Sequence, residues 1–367
     1  MKKIKKKKWY YDVRGDLDAF PKAWAYLIWS KRGPGKTYST LRYMIEEDKR
    51  FVFIKRTVDD VKMLCSGSKP TGDSKRDVDL SPFKPLNRDF GWNIYIKSIY
   101  DGLAAFYEYE QFDGELVPGK LVGYCIASSK ATKFKGFDLS DVDYMIFDEF
   151  IPRAWERVSK NEGDMILDLY ETISRDRTKR GREELKMICL ANATDISNPL
   201  FTTLDVVDIA AEMDATDTYY QYLEERGILL HFINSADDMD EEQELTGIQK
   251  AMIGTAWAQM AYGGHFAYND FTSIGKSKLK GHKCIYKIKY KMKEYYVYKN
   301  NETQMYYVSR VRGQTNKEYD LSRENQQKNY WLTHGRTLLQ ATISDRVIYQ
   351  EYTAYDLITN YRRYFDL

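Results

Sequence analysis

The sequence predicts an α/β fold built on a parallel sheet, and three observations predict it. Apolar runs of strand length alternate with helix-spaced segments through the first 230 residues. A glycine-bearing segment, Ser30-Lys31-Arg32-Gly33-Pro34-Gly35-Lys36-Thr37, stands between a strand pattern and a helix pattern. A second strand pattern, residues 143–150, carries the paired carboxylates Asp148 and Glu149 near its end.

Residues 23–29 form the first apolar run, and 37–48 carry Leu41, Met44 and Ile45 at helical spacing. Residues 51–54 read as a second strand ending in Lys55-Arg56-Thr57, with a helix over 58–64. Residues 65–90 are rich in Ser, Pro, Lys and Asp and read as a long mobile insertion. Strands follow at 92–96, 103–109 and 121–127, then a basic loop at 130–135 and the carboxylate strand. A helix over 164–175 and a buried strand over 186–190 complete the alternation. Beyond it, 228–233 reads as a strand, 240–261 as a helix, and Tyr262-Gly263-Gly264 as a boundary. The last hundred residues change character, with Lys/Tyr alternation at 286–291 and further runs at 294–298 and 306–308. Period-two alternation broken at Asn300-Asn301 predicts an antiparallel meander. The division expected is an ATPase domain over 1–230, a lid or linker over 231–265, and a smaller α+β domain over 266–367.

The glycine segment matches the phosphate-cradling pattern G-x-x-x-x-G-K-[ST], with Ser30 where the first Gly usually sits. Gly33 and Gly35 permit the backbone angles that turn N–H groups inward around phosphate. Residues Ser30 to Tyr38 (Lys31, Arg32, Gly33, Pro34 and Gly35 among them) are therefore the candidate ATP cradle, Lys36 reaching the β- and γ-phosphates and Thr37 ligating Mg²⁺. In a parallel sheet the end of the carboxylate strand lies beside such a loop. Asp148 is the second candidate Mg²⁺ ligand, and Glu149 the residue that orients or deprotonates the attacking water. That extra Glu favours hydrolysis over transfer to a second substrate.

Further candidates carry two readings each. Asn192 and Thr194 follow a buried strand, where they report on a γ-phosphate or cap a turn. Arg175 and Arg177 end a helix, as an arginine offered to a neighbour's nucleotide or as a solvated or nucleic-acid-contacting face. Arg56 ends the second strand and is expected to pair with Glu149 and hold it from the water. Lys283, Lys287, Lys289 and Lys291 lie in a lysine-rich stretch that binds nucleic-acid phosphates or forms a solvated strand face.

Composition bounds the rest. The chain has 367 residues, 43% hydrophobic and 30% charged, as in a soluble globular protein, and no apolar stretch of membrane-spanning length. Net charge is +2, but 205–244 is acidic and 276–299 lysine-rich, which points to a polyanion partner. The lysine run at residues 2–8 is an arm that touches nucleic acid or a solvated tail. Four dispersed cysteines, with four histidines, argue against a structural zinc site or a disulfide framework and fit a reducing cytoplasm. The 31 tyrosines suit stacking surfaces as well as core.

In order along the chain, Ser30–Thr37, Phe53-Ile54-Lys55-Arg56-Thr57, Phe147-Asp148-Glu149-Phe150, Arg175–Arg177, Cys189-Leu190-Ala191-Asn192-Ala193 and Asn198-Pro199-Leu200-Phe201 resemble the DNA encapsidation ATPases of small short-tailed phages, relatives of large terminase subunits. The resemblance covers the first 230 residues by motif. It implies a P-loop NTPase core of the additional-strand, catalytic-Glu class, and a C-terminal domain like an RNase H-type nuclease that has lost its active site. It further implies a homo-oligomeric, pentameric ring at the viral portal of a procapsid in the host cytoplasm, driving double-stranded DNA inward with ATP, in some relatives through a packaging RNA. By position, Lys36, Thr37, Asp148 and Glu149 take the nucleotide, metal and catalytic roles, Asn192 the coupling role, and Arg175 or Arg177 the finger in trans. Lys133 and Lys135 are implied as contacts across the subunit interface. The alternatives are a terminase-like enzyme with an active C-terminal metal nuclease, for which Asp270, Glu302, Asp320, Glu324 and Asp345 are available, and a DNA-stimulated ATPase without a packaging role.

Overall fold

A computed structural model describes residues 11–31, 33–67, 71, 78–153, 156, 158–175, 177–233, 247–255, 266 and 269–366. The described parts of 1–204 and 213–268 form one compact unit, and those of 205–212 and 269–367 another.

The first unit is organised by a nine-stranded sheet. Its strands are β1 (Ala25–Ser30), β2 (Phe51–Lys55), β3 (Ile94–Tyr100), β4 (Leu103–Phe112), β5 (Glu115–Ala127), β6 (Tyr144–Asp148), β7 (Lys186–Asn192), β8 (Tyr220–Leu223) and β9 (Ile228–Ile233). They lie in the order β3-β4-β5-β2-β6-β7-β1-β9-β8. From β5 to β9 all neighbours run parallel, while β3, β4 and β8 join antiparallel at the two edges. Every residue of β1 and β9 is buried, as strands covered on both faces require. β7 lies between β1 and β6, and its register sets Ser30 level with Asn192 and Asp148 level with Leu190.

The helices of this unit are α1 (Val13–Ala19), ahead of β1, then α2 (Lys36–Glu46), α3 (Val58–Leu64), α4 (Lys84–Phe90), α5 (Glu162–Ser174) and α6 (Pro199–Thr203); α7 (Val207–Ala215) is divided between the two units. Local chemistry sets their starts. The Thr57 hydroxyl accepts from Asp60 N–H while the Asp60 carboxylate accepts from Thr57 N–H, so α3 begins as soon as β2 ends. Asn198 caps α6, with Pro199 in its first turn. The expected basic loop at 130–135 is a 3₁₀ helix, Ser128–Gly136. The polar insertion ends in core structure, because Phe83 and Leu86 are fully buried against Phe51 and Phe106. Of the helix expected over 240–261, Gly247–Ala251 is helical and residues 252–255 form turn and bend instead; the rest of that expectation, the boundary at 262–264 and the lysine run at 2–8 lie outside the described residues.

The second unit holds the expected meander. β10 (His282–Tyr290), β11 (Lys293–Asn300) and β12 (Tyr306–Ser309) pair antiparallel, and β13 (Glu318–Asp320) and β14 (Val347–Tyr349) add in parallel at the edges. Helices Glu324–Tyr330, Arg336–Ile343 and Tyr352–Thr359 supply the other half of its core. Tyr286, Tyr295, Tyr330, Tyr349 and Tyr361 are buried there, so much of the tyrosine content is core rather than stacking surface.

Arg177 corrects an expectation. It is 2% exposed, and its guanidinium donates to the carbonyls of Glu183 (3.0 Å), Ser140 (3.2 Å) and Val142 and to the Asp143 carboxylate (3.1 Å). It thus clamps the turn between α5 and β7 onto the segment that enters β6, and is not presented to a neighbour. Arg177→Ala is expected to cost about 3 kcal/mol in urea unfolding, since it removes the ion-pair partner of Asp143 and the buried donor to the Val142 and Glu183 carbonyls, whereas Arg175→Ala on the exposed turn changes stability by less than about 0.5 kcal/mol.

Candidate functional site

Gly33 and Gly35 hold φ of +97° and +83°, the left-handed region that glycine adopts without strain. At Gly33 an added Cβ would meet no atom within 4 Å, so backbone conformation rather than space calls for glycine there. Gly35 is the N-cap of α2 and no side chain caps that helix, which leaves the first amides facing the loop. Ser30 is fully buried; its hydroxyl donates to Lys31 O and accepts from Lys36 Nζ, both at 2.5 Å. The residue that departs from the glycine pattern thus anchors the loop lysine. Pro34 is buried, and Arg32 lies outside the described residues. The Tyr38 hydroxyl donates to Asp89 on α4 (3.0 Å), which turns that side chain away from the loop.

Lys36 is buried, and its ammonium also approaches Lys31 O and Asn192 Oδ1, each at 3.4 Å. These partners are all neutral. Burial pushes its pKa down to about 7, against a smaller upward pull from Asp148. A buried ammonium whose direct partners carry no charge is suited to an anionic ligand. Beside it, the Thr37 hydroxyl donates to Asp148 Oδ1 (2.9 Å). A hydroxyl and a carboxylate are the hard oxygen donors Mg²⁺ takes when phosphates complete its shell. Ser30, Lys36 and the α2 amides therefore fit the phosphates of ATP, and Thr37 with Asp148 fits Mg²⁺.

Glu149 directly follows β6 at φ +58°, an uncommon conformation for a residue with a side chain. That turn leaves its carboxylate 52% exposed at the carboxyl edge of the sheet. Lys55, not Arg56, is the cation that meets it: Lys55 Nζ lies 3.1 Å from Asp148 Oδ2 and 3.4 Å from Glu149 Oε2, with Arg153 3.6 Å from Glu149 on the other side. Burial draws the Lys55 pKa down, but Asp148 and Glu149 outweigh it and the net shift is upward. The Arg56 side chain instead pairs with Glu162 (2.6 Å) and Glu156 (2.9 Å) and donates to the carbonyls of Glu149 (3.1 Å) and Phe150 (3.3 Å). Arg56 holds the backbone of the turn, while Lys55 holds its carboxylates. Strand alternation sends adjacent side chains to opposite faces, so Lys55 was open to notice as the other member of the basic pair.

Arg175 is exposed just past α5, and Lys133 is exposed on the 3₁₀ helix; the side chain of Lys135 lies outside the description. Asn192 ends β7 beside Lys36, and Thr194 donates back to Asn192 O (3.3 Å). In the second unit, Lys283 is exposed and Lys291 occupies the β10–β11 turn at φ +51°. Lys287 and Lys289 are engaged within the sheet: Glu318 lies 2.8 and 2.6 Å from them and Glu294 3.1 and 3.7 Å. The expected phosphate ladder is half neutralised by its own carboxylates. Among the described residues no three His, Cys, Asp or Glu side chains converge as metal ligands, and Asp320 and Glu324 are bonded locally to Ser322 and Lys328. The metal-nuclease alternative finds no support there. No described helix is long and apolar enough to cross a membrane.

Fold and site together define an α/β protein in which a glycine loop, a buried lysine and a carboxylate pair meet at the carboxyl edge of a mainly parallel sheet. A family model for the podovirus DNA encapsidation protein (Gp16) matches residues 110–338. That span is more than half of the 367 residues, and the chain belongs to this family. The DNA packaging protein of Bacillus phage B103 is 25% identical over 284 residues, covering 76% of this chain and 75% of that protein. Among solved structures, the bacteriophage Phi-29 viral genome packaging motor assembly aligns over 97% of this chain and 99% of its own, at TM-score 0.61 and 19% identity. The Phi-28 gp11 DNA packaging motor aligns over 98% of both chains, at TM-score 0.60 and 18% identity. At these identities the structural likeness speaks for the fold. The family match begins after the phosphate loop, so the loop is assigned by its own geometry.

The depressed Lys36 pKa sets a pH dependence. Below about pH 7 the lysine is already charged in the free protein; above it, an anionic ligand must recharge it by taking up a proton. Nucleotide affinity is therefore expected to fall as pH rises above 7, by up to about tenfold per unit. Calorimetry in buffers of different ionisation heat should find close to one proton taken up per nucleotide at about pH 8 and almost none at about pH 6.

Proposed function

We propose that this chain is the ATP-hydrolysing subunit of a viral motor that drives double-stranded DNA into a procapsid, working as a homo-oligomeric ring. The observation that carries the reading is the meeting of Lys36, Thr37, Asp148 and Glu149 at one sheet edge, in a chain of the podovirus encapsidation family. β7 between β1 and β6 supports a P-loop core of the additional-strand, catalytic-Glu class. A mixed sheet backed by helices, without a carboxylate cluster among its described residues, is compatible with an inactive RNase H-type second unit.

In this reading Lys36 and the α2 amides orient the phosphates of ATP, and Thr37 and Asp148 hold Mg²⁺. A metal ion held there would supply charge neutralisation for the phosphates. Glu149 accepts the proton of the attacking water once its carboxylate leaves Lys55. Asn192, bonded to Lys36, relays the state of the γ-phosphate to β7. Arg175 acts in trans. α5 runs for 13 residues, about 20 Å, and begins at Glu162, which pairs with Arg56, so Arg175 lies at the far end of that helix from Arg56. A neighbouring copy is the partner it can serve, with Lys133 and Lys135 as further interface contacts. A pentameric ring docked at the portal, with or without a packaging RNA, in the host cytoplasm, is what the motif resemblance of the sequence further implies.

Turnover of Mg²⁺–ATP with and without duplex DNA tests the proposal. Wild type should hydrolyse ATP and be stimulated by DNA, while Glu149→Gln should bind nucleotide but lose about 10²- to 10⁴-fold in turnover. Hydrolysis by Glu149→Gln at the wild-type rate would exclude Glu149 as the base.

A further inference from the structure

β4 and β5 are the two longest strands of the first sheet, and their hairpin outruns it at the amino edge. β5 begins at Glu115 but meets β2 only from Gly123, which is level with Phe51. β4 runs to Phe112, while β3 accompanies it only as far as Glu108, opposite Ile94. The turn therefore stands about 13 Å past the start of β3 and about 25 Å past that of β2. Asp113 and Gly114 form it at φ +49° and +80°, the two left-handed residues that a tight hairpin takes. Residues 110–117 pair only with each other, and Phe112 at the tip is 72% exposed. A two-stranded ribbon is marginal alone in water, and this one ends in a large apolar side chain. Between 108 and 119 it carries four acids, Glu108, Glu110, Asp113 and Glu115, all exposed, and no base. Lys120, which follows, is paired with Asp48 just past the end of α2 (2.5 Å). Such an arm repels nucleic acid and suits a basic surface that also offers apolar groups.

The carboxyl edge of the same sheet supplies one. β4 starts there, with Leu103 opposite Ile126 and so level with Ile54 of β2. The turn from β3 into β4 presents Ile99 and Tyr100, 52% and 61% exposed. α3 lies against that turn: Lys62 Nζ is 3.0 Å from Asp101 Oδ1, and Met63 beside it is 62% exposed. Lys130 of the 3₁₀ helix approaches the other oxygen of Asp101 (3.4 Å), and Lys97 is exposed on β3. Lys62, Lys97 and Lys130 outnumber the two exposed acids there, Asp59 and Asp101. None of these residues takes part in the nucleotide site described above.

We propose that the hairpin arm of one copy, residues 108–119, seats on the surface formed by Met63, Ile99 and Tyr100 of a second copy. Phe112 enters among the apolar side chains, and the carboxylates of the arm face Lys62, Lys97 and Lys130. The inference rests on the ring of the motor reading and names a contact that builds it. Arm and seat are different surfaces at opposite edges of one sheet, so the contact is head-to-tail. Each chain offers one of each, and repetition closes a ring wherever the rotation between copies allows it.

Sedimentation velocity of the full-length protein, with Mg²⁺ and a non-hydrolysable ATP analogue, compares wild type with an arm variant (Glu110→Lys, Phe112→Ser) and a seat variant (Lys97→Glu, Tyr100→Ser). Wild type should assemble beyond a dimer, and each variant alone should self-associate at least about tenfold more weakly. Both should bind the analogue as wild type does, which reports that they fold. Mixed in equal amounts, the two variants should form dimers and nothing larger, because each keeps the half that the other has lost. Assembly of either variant at wild-type strength, or a mixture without dimers, overturns the proposal. An arm variant that self-associates normally but no longer binds procapsid would assign the arm to the viral shell instead. If wild type stays monomeric, the ring falls and this inference with it; if wild type assembles and the variants assemble equally well, this inference falls alone.

Discussion

The hydrogen bond from Thr37 Oγ1 to Asp148 Oδ1 is the contact on which the rest of the site depends. Its two residues are 111 positions apart in sequence and belong to elements separated by β7, so the bond exists only when β1, β7 and β6 are parallel and in register. The helix bearing Thr37 must also start at the loop, and β6 must stop two positions short of the level of Asn192. Each condition follows from something local. Glycine conformations start α2, buried and mostly apolar strands fill the sheet centre, and the left-handed turn at Glu149 ends β6.

Charge balance around that bond gives the site two contrasting lysines. Lys36 is buried among neutral oxygens and is partly discharged near neutral pH, which makes it receptive to phosphate. Lys55 is nearly as enclosed but meets two carboxylates, which keep it charged. In the proposed function a nucleotide would complete one lysine, while any movement of Glu149 toward water must release the other. Arg56 steadies the turn between them by binding its carbonyls rather than its carboxylate, with Glu162 and Glu156 as counter-ions. In the proposed function, binding and hydrolysis would draw on different cations of the same edge.

Much of the first unit was legible from the chain. α3 and β9 fall on the residues expected, and β1, α2, β2, β6 and α5 lie within about two positions, because continuous apolar runs end at recognisable turn and capping residues. The phosphate loop and the carboxylate pair were legible from residue type and order. What sequence could not reveal were partners supplied by distant segments. Arg177 stands in a run of charges that reads as solvated, yet main-chain carbonyls of residues 140 and 142, which carry no mark in sequence, enclose it. Lys287 and Lys289 read as a cationic face until the registers of β10 with β11 and β13 bring in Glu294 and Glu318. Phe83 and Leu86 sit in a polar, proline-bearing stretch and reach the core only through tertiary packing. The choice between Lys55 and Arg56 turned on which face of one strand looks toward Glu149.

The central claim is that Thr37 and Asp148 jointly hold the divalent cation that accompanies the nucleotide. It is tested most directly by the Mg²⁺ dependence of affinity for a non-hydrolysable ATP analogue in wild type, Thr37→Val and Asp148→Asn. The account predicts that Mg²⁺ tightens binding to wild type by at least about tenfold, about 1.4 kcal/mol, and tightens it little in either variant. An equal gain from Mg²⁺ in all three proteins would contradict it and place the cation elsewhere.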